Sequence, residues 1–391
     1  MKFEGDIREF FVDIALMDNH FLRLGRQLVV WGEMDGFRVM DQVNPLDVSF
    51  TQFFFMPEES TIPLWMVRYD YTPPDIGQFS NIELELLWTM DLRPMQLAAA
   101  GAPYSVPFSA LVPVPDFLKI TTVEVIPERR IENSEIGARM SFMLGRWNMS
   151  ISDYYGIQDS GAYSLSGFDL SYLIKPGPEL IGVELESDHP FINFLGFSFN
   201  YYDEFTKGVF RGEAIYTWNF RPLIDLTTPE GLENGHHKVD RIDWGVGFDR
   251  QTWIRFLNSS STFMLSLQQL GRHYRGSLNA YLDPNEMDEA GRELLARFGI
   301  TERIQLVREN SYLTTFLIQT FYSHGNLVPL VLLAYDWDGI LITSAECKYQ
   351  YNTHLSFKVH TVFALGDPVG DAERDPLLKQ SEVAFKITWQ L

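Results

Sequence analysis

LRLGRQLVVWGEMDGFRVMDQVNPLD, residues 22–47, is the stretch whose reading decides the fold. It opens as an alternating strand, Leu22-Arg23-Leu24, and runs through Gln27 to Trp31. At Gly32 it turns into a polar loop holding Glu33, Asp35, Gly36, Arg38, Asp41, Asn44, Pro45 and Asp47. A sided strand feeding a charged loop of this length fits barrel wall leading into barrel mouth.

Outward from there, the chain keeps the same period of two. Residues 3–15 and 21–31 read as a first pair of strands. Trp65, Val67, Tyr69 and Tyr71 share one face of the next, and Ile82, Leu84, Leu86, Trp88 and Met90 oppose Glu83 and Glu85. Ile136, Ala138, Met140, Phe142 and Leu144 oppose Arg139 and Ser141; a turn at Gly145-Arg146 leads to Trp147, Met149 and Ile151. The pattern recurs at 191–201, 210–218, 241–249, 263–270, 311–323, 327–337, 340–351 and 355–363. It ends on Val383, Phe385, Ile387, Trp389 and Leu391, which oppose Glu382, Lys386, Thr388 and Gln390. The count is about fifteen strands.

The connections alternate in length. Residues 32–61, 91–133, 156–190, 219–238, 275–310 and 366–380 are long. Residues 72–80, Gly145-Arg146, 202–207, 251–261, 323–326 and Asn352-Thr353 are short. Asp336–Gly339 is short where a long one is due. Transmembrane barrels show this asymmetry between their two ends. Many segments run about 9–11 residues, the length a tilted strand needs to cross hydrocarbon. A sheet facing lipid must also close, because it can leave no backbone unpaired. The expectation is therefore all-β: an antiparallel transmembrane β-barrel of about 15–16 strands forming a single domain over residues 1–391. Bacterial single-chain barrels have even strand numbers, so an odd count predicts at least one strand before Met1. Within 275–310, Asp283-Pro284 followed by Met287, Leu294, Leu295 and Phe298 before Gly299 predicts a short helix in an outer loop.

Composition narrows the function. The 391 residues carry a formal charge of −21, which argues against a nucleic-acid partner. Hydrophobic residues are 46% and aromatics 14%, enough for a large buried or lipid-facing surface. No apolar run reaches the ~18 residues of a membrane-spanning helix. Met1-Lys2-Phe3 leads straight into acidic residues, unlike a signal peptide. The single cysteine, Cys347, leaves no disulfide and no Cys/His zinc spacing.

Leu24-Gly25-Arg26-Gln27, Trp31-Gly32-Glu33, Asp35-Gly36 with Arg38, and Val43-Asn44-Pro45-Leu46-Asp47 resemble the domain-of-unknown-function 1302 family of proteobacterial outer-membrane proteins. Ile62-Pro63-Leu64-Trp65, Gly137-Ala138-Arg139 and Arg211-Gly212-Glu213 are weaker echoes. The resemblance implies an outer-membrane barrel, often associated with RND-type exporters of hydrophobic compounds.

Two groups of residues are candidate sites. Glu33, Asp35, Arg38, Asp41 and Asp47 could fold into the lumen as a constriction loop, with Arg38 paired to a carboxylate; turn chemistry at Asp35-Gly36 and Asn44-Pro45 allows a solvated outer loop instead. Arg211, Glu213, Arg241, Asp243, Asp249, Lys358, His360 and Lys386 all oppose apolar faces and should point inward. Arg26 is a misfit on the Leu22–Leu24–Leu28 face, which a bulge near Gly25 could re-aim. His236-His237, beside Asp225, Glu230 and Glu233, fits a solvated loop better than a metal site. Gly245-Val246-Gly247 lacks the context of a nucleotide fingerprint and reads as small residues on a lumen face. No GxSxG or Ser/His/Asp set stands out. The expectation is a non-enzymatic channel or conduit without cofactor or metal, contacting outer-membrane lipid, a small hydrophobic or amphipathic solute and a periplasmic or RND-exporter partner. The alternative is a structural barrel whose plugged lumen docks a partner protein.

Overall fold

The computed structural model describes residues 7–50, 60–98, 118–169, 181–222, 238–276, 308–366 and 381–389, with scattered positions between 281 and 305. Fifteen strands form one sheet in which every neighbour is antiparallel. In order of pairing they are β1 (Phe10–Met17), β2 (His20–Gln27), β3 (Leu64–Tyr71), β4 (Phe79–Thr89), β6 (Glu135–Leu144), β7 (Trp147–Ile157), β10 (Phe191–Asp203) and β11 (Gly208–Phe220). There follow β12 (Val239–Thr252), β13 (Phe263–Arg275), β16 (Asn310–Thr320), β17 (Leu327–Asp336), β18 (Ile340–Gln350), β19 (Leu355–Gly366) and β20 (Glu382–Trp389). Each strand pairs with the strands before and after it along the chain, apart from inserted segments that sit in the long connections. Among the described residues no bridge joins β1 to β20, so the sheet has two ends.

The inserted segments correct the reading of the connections as plain loops. The 91–133 connection contains β5 (Leu118–Val125), and 156–190 contains β8 (Ala162–Asp169) and β9 (Ile181–Asp188). These make a separate sheet in the order β5-β9-β8, with β5 parallel and β8 antiparallel to β9. A short ladder, β14 (Tyr281–Leu282) with β15 (Ile304–Gln305), lies in 275–310. The residues on which a helix was expected there, Asp283, Pro284, Met287, Leu294, Leu295 and Phe298, lie outside the described residues. Among the described residues the named helical elements are two short 3-10 turns, Ile131–Asn133 and Ser323–Gly325, and no helix is long and apolar enough to cross a membrane. His236 and His237 also lie outside them.

The two faces of the large sheet differ in an unusual sense. On one face Leu195 (46% exposed), Val246 (48%), Leu267 (52%), Phe385 (78%) and Ile387 (71%) stand open. On the other, Ser198, Glu213, Gln268, Thr315, Ser344 and His360 are buried. A water-soluble sheet buries its apolar face; this one leaves an apolar face open and keeps its polar and charged groups on the hidden face, beside apolar residues such as Phe194, Ile215, Leu332 and Ile342.

Local chemistry sets the element ends. The second strand stops at Gln27, four residues before the sequence pattern ends, because the Val29 amide donates to Asn44 Oδ1 (2.8 Å) instead of to a neighbouring strand. Arg26 needs no bulge: register is regular through Phe11↔Gly25 and Phe10↔Arg26. Its guanidinium bends back onto the carbonyls of Pro63 (3.2 Å) and Ile7 (2.7 Å) and is buried. Gly25 itself has φ +139°, and a Cβ there would lie 2.3 Å from the Phe10 carbonyl oxygen, so the position requires glycine. Ile82 does not share the exposed face of Leu86 and Trp88. The register slips between Ser80 and Glu83, where Asn81 has φ +50°, and Ile82 becomes buried.

Candidate functional site: a loop seated against the wall

The connection between β2 and β3 is the site. It is knotted first to itself. Asn44 ties its two roots: its Oδ1 accepts from Val29, and its Nδ2 donates to the carbonyls of Gln27 (3.2 Å) and Ile62 (3.0 Å). Asp41 Oδ1 accepts from the amides of Trp31 (2.6 Å) and Gly32 (2.8 Å). Arg38 donates to the carbonyls of Asp41 and Asn44 and faces Asp159 at 3.7 Å. Burial pushes the Arg38 guanidinium below its ordinary value and raises the Asp159 carboxyl to about 6, against the opposing pull of Arg38.

The loop is then fastened to the polar face of the sheet. The Glu33 amide donates to Glu213 Oε2 (2.5 Å), and the Met40 amide to Glu213 Oε1 (3.4 Å). Arg211 donates to the Glu33 carbonyl and pairs with both Asp35 (2.6 Å) and Asp249 (2.6 Å). Gln268 and Asp35 clasp each other, backbone to side-chain amide, at 3.0 and 3.3 Å. Asn200 reaches Glu33 at 3.2 Å, and Trp31 Nε1 donates to Glu85 at 2.5 Å.

Those contacts require the sheet to curve. Trp31 touches β4 and Asp35 touches β13, and the two strands are six places apart in the pairing order. In a flat sheet six spacings would be about 29 Å, at about 4.8 Å each. Four residues of chain span at most about 14 Å. Side chains that stand upright from a flat sheet would add height more than lateral reach, so the strands wrap round the loop, and the face that meets it is the concave one.

Apolar packing completes the seat. Val29, Trp31, Met34, Phe37, Val39, Met40 and Val43 join one buried cluster with wall residues including Tyr154, Phe194 and Ile215. Trp31 meets Tyr154 and Phe194 edge-on, with centroids 6.2 and 6.3 Å apart. Wall glycines make room. A Cβ at Gly245 would lie 2.8 Å from Met34, one at Gly137 2.9 Å from Trp31, and one at Gly196 3.1 Å from Met40. The Gly245-Val246-Gly247 stretch thus has a packing reason: its first glycine receives the loop.

The structure divides the sequence-derived candidates into separate groups. Glu33 and Asp35 come together with Arg211, Glu213 and Asp249. Arg38 and Asp41 serve the loop's internal knot; the paired carboxylate for Arg38 is Asp159, which sequence reasoning missed. Asp47 stays apart, accepting from Ser49 within its own turn (2.9 and 2.5 Å). Arg241 and Asp243 form a further cluster with Arg272, at 2.6 and 2.5 Å, with Arg241 stacked over Phe220. Lys358, His360 and Lys386 lie on β19 and β20; Lys358 pairs with Glu346 (3.0 Å), and His360 meets Ser344 (3.1 Å). Gln268, Asn200 and Glu85 were also missed; of these Glu85 gave a signal, an acid opposite an apolar face. Among the described residues no group of His, Cys, Asp and Glu is placed to hold a metal ion.

With this geometry in hand, comparison with known proteins gives a family. The family model described as "Protein of unknown function (DUF1302)" matches residues 2–366, nearly the whole chain. The chain belongs to that family. No curated protein matches this DUF1302 member in sequence. Among solved structures, the crystal structure of OccAB1 from Acinetobacter baumannii is similar at 10% identity and a TM-score of 0.42, over 95% of this chain and 73% of that one.

Proposed function

We propose that the fifteen-stranded sheet is the wall of a transmembrane barrel in the bacterial outer membrane and acts as a conduit for small hydrophobic or amphipathic molecules. One observation carries the reading: the exposed face is apolar, while the buried polar and charged groups of the wall gather on the opposite, concave face beside the apolar seat of the loop. Hydrocarbon is the solvent that suits such an outside, and a hydrated lumen suits such an inside. The outer-membrane location rests on this inversion and on the family resemblance of residues 22–47. An RND-type exporter as partner rests on the resemblance alone. The role assigned is passive, with no bond made or broken.

In this reading residues 33–47 narrow the lumen. Their acids, Glu33 and Asp35, and the facing Arg211 set the charge at the constriction. Reconstitution of the full chain in planar bilayers tests it. Discrete conductance that rises when residues 33–47 are deleted supports a constriction; a conductance unchanged by the deletion counts against it.

The seated loop also supports a second reading, a barrel whose lumen is plugged and whose task is to dock a partner. The two readings differ in liposome swelling. Uptake of any small solute class by the intact chain favours the conduit. Uptake of none, together with retention of a periplasmic partner, favours the plug.

A further inference from the structure

Two short turns at one end of the sheet hold large apolar side chains out in the open. Phe205, between β10 and β11, is 95% exposed; Trp253 (52%), Phe256 (86%) and Leu257 (53%) lie between β12 and β13. The two turns are two strand spacings apart, about 10 Å. Both are firmly built. Asp203 Oδ2 accepts from the amide (2.8 Å) and the hydroxyl (2.7 Å) of Thr206. Buried Asn258 donates to Thr320 Oγ1 (3.0 Å) and the Phe321 carbonyl (2.9 Å), and accepts from the amides of Ser260 (3.0 Å) and Ser261 (3.1 Å). The Tyr322 hydroxyl donates to the Leu257 carbonyl (3.2 Å). Turns held in this way fix their apolar side chains outward, and apolar residues grouped on a surface mark a contact with something else.

The chemistry around the patch says with what. Lys207 ends the first turn, Arg250 pairs in register with the adjoining Gly208, and Arg255 lies 5.6 Å over the Trp253 ring. Arg250 is exposed and shares the strand face of open Val246. In the short turns at 145–146, 204–207, 253–262, 321–326 and 351–354 the charged residues are Arg146, Glu204, Lys207 and Arg255, and Glu204 is paired with Arg146 at 2.8 Å. The remaining short turns, β1–β2 and β3–β4, carry Asp18 and Asp75, so the basic sector is local, in a chain whose overall charge is −21. The patch also continues the open apolar face of the wall. Phe210 and Phe248 stand in register beside it with centroids 4.8 Å apart, and Trp147 stacks on Tyr201 at 4.6 Å. Aromatic rings beside cations, at the end of an apolar wall, suit the layer where hydrocarbon meets head groups. Each Lys or Arg there is drawn to anionic lipid.

We propose that Phe205, Trp253, Phe256 and Leu257, with Lys207, Arg250 and Arg255, anchor this end of the wall in the bilayer surface by binding the head groups of anionic phospholipids. The anchor rests on the membrane reading and deepens it by naming the lipid class at one rim.

Tryptophan quenching in vesicles tests it. The full chain is reconstituted in phosphatidylcholine containing either phosphatidylglycerol or phosphatidylcholine brominated along the acyl chains. The part of the quenching that the W253F variant lacks reports this sector. The glycerol lipid should quench Trp253 at about tenfold lower mole fraction than the choline lipid. In K207Q/R250Q/R255Q, folded by circular dichroism, the two lipids should quench alike, and K207R/R250K/R255K should keep the preference. Equal quenching by both lipids in the wild-type chain overturns the proposal. So does a preference abolished by inorganic phosphate at the concentration of the lipid, which would make the cations a site for free anions. If neither lipid quenches Trp253 while other tryptophans are quenched, the turns stand clear of the bilayer and face a protein; the anchor falls and the membrane reading stands. Quenching of no tryptophan overturns the membrane reading itself.

Discussion

Arg211 is the residue on which the seating of the loop turns. It donates to the Glu33 carbonyl and holds Asp35 and Asp249 together, so one side chain links loop, β11 and β12. Arg211→Gln should loosen the loop by about 2 kcal/mol, the scale of a hydrogen-bonded pair that includes a charge. Hydrogen exchange reads this locally, because the Glu33 and Asp35 amides donate to wall side chains. Their protection should fall about thirtyfold, each 1.4 kcal/mol being a factor of ten; unchanged protection would mean that the apolar contacts suffice. Asp159 yields a second prediction. Burial raises its folded value from 3.8 to about 6, so the folded state holds its proton more tightly than the unfolded chain does. The resulting stability is fully present below pH about 4 and is lost as pH rises through about 6. Asp159→Asn carries no proton to lose. Denaturant midpoints of the two proteins should therefore shift in favour of the variant between pH 4 and pH 7, and parallel curves across that window would refute a raised value.

At the scale of the element, the loop is a small apolar unit packed into glycine-lined hollows. Trp31→Ala should cost about 3–5 kcal/mol of local stability, the range for removing a buried aromatic side chain. Gly137→Val should act from the other side, since even its Cβ would meet Trp31 at 2.9 Å. Limited trypsin digestion at Arg38 is the readout: rapid cleavage in both variants and resistance in the wild-type protein are expected, and equal resistance in all three would sink the packing account. Elements of the large sheet were legible in the sequence because period two is a local property. Each strand shows its own faces, and turns such as Gly145-Arg146 mark their ends. Strands β5, β8 and β9 were not legible, because they lie in long connections and the β5–β9 pair is parallel and joins residues far apart in the chain. The site was half legible. Both the loop acids and the wall cations were visible as residues, but the pairing of Arg211 with Asp35 spans 176 positions and depends on how the sheet curves. No local window contains that information. Gln268 and the role of Gly245 were hidden for the same reason.

For the whole molecule, the question is which solvent touches the apolar face, and a single substitution can answer it. Leu333 sits near the middle of β17 on the open face, 39% exposed. If water bathed that face, Leu333→Arg would be an ordinary surface change worth no more than about 0.5 kcal/mol. If lipid bathes it, an arginine there costs about 2–4 kcal/mol at mid-depth. The same substitution near the rim of the sheet, at Leu365 (58% exposed), should cost less, about 0–1 kcal/mol, because lipid headgroups and water lie within reach. Reversible unfolding in phosphatidylcholine vesicles, followed by tryptophan fluorescence, measures both. A large penalty at Leu333 with a small one at Leu365 is what a spanning sheet requires. Two small penalties would mean that no hydrocarbon layer surrounds the strands, and the inverted faces would then need a covering protein instead. The polar face makes the complementary demand. Thr315 and Ser344 are fully enclosed on the concave side, so replacing either by leucine removes hydrogen-bonding capacity without meeting lipid, and its effect should not depend on the thickness of the bilayer. Depth dependence on one face and its absence on the other together distinguish a barrel wall in a membrane from any water-soluble arrangement of the same fifteen strands.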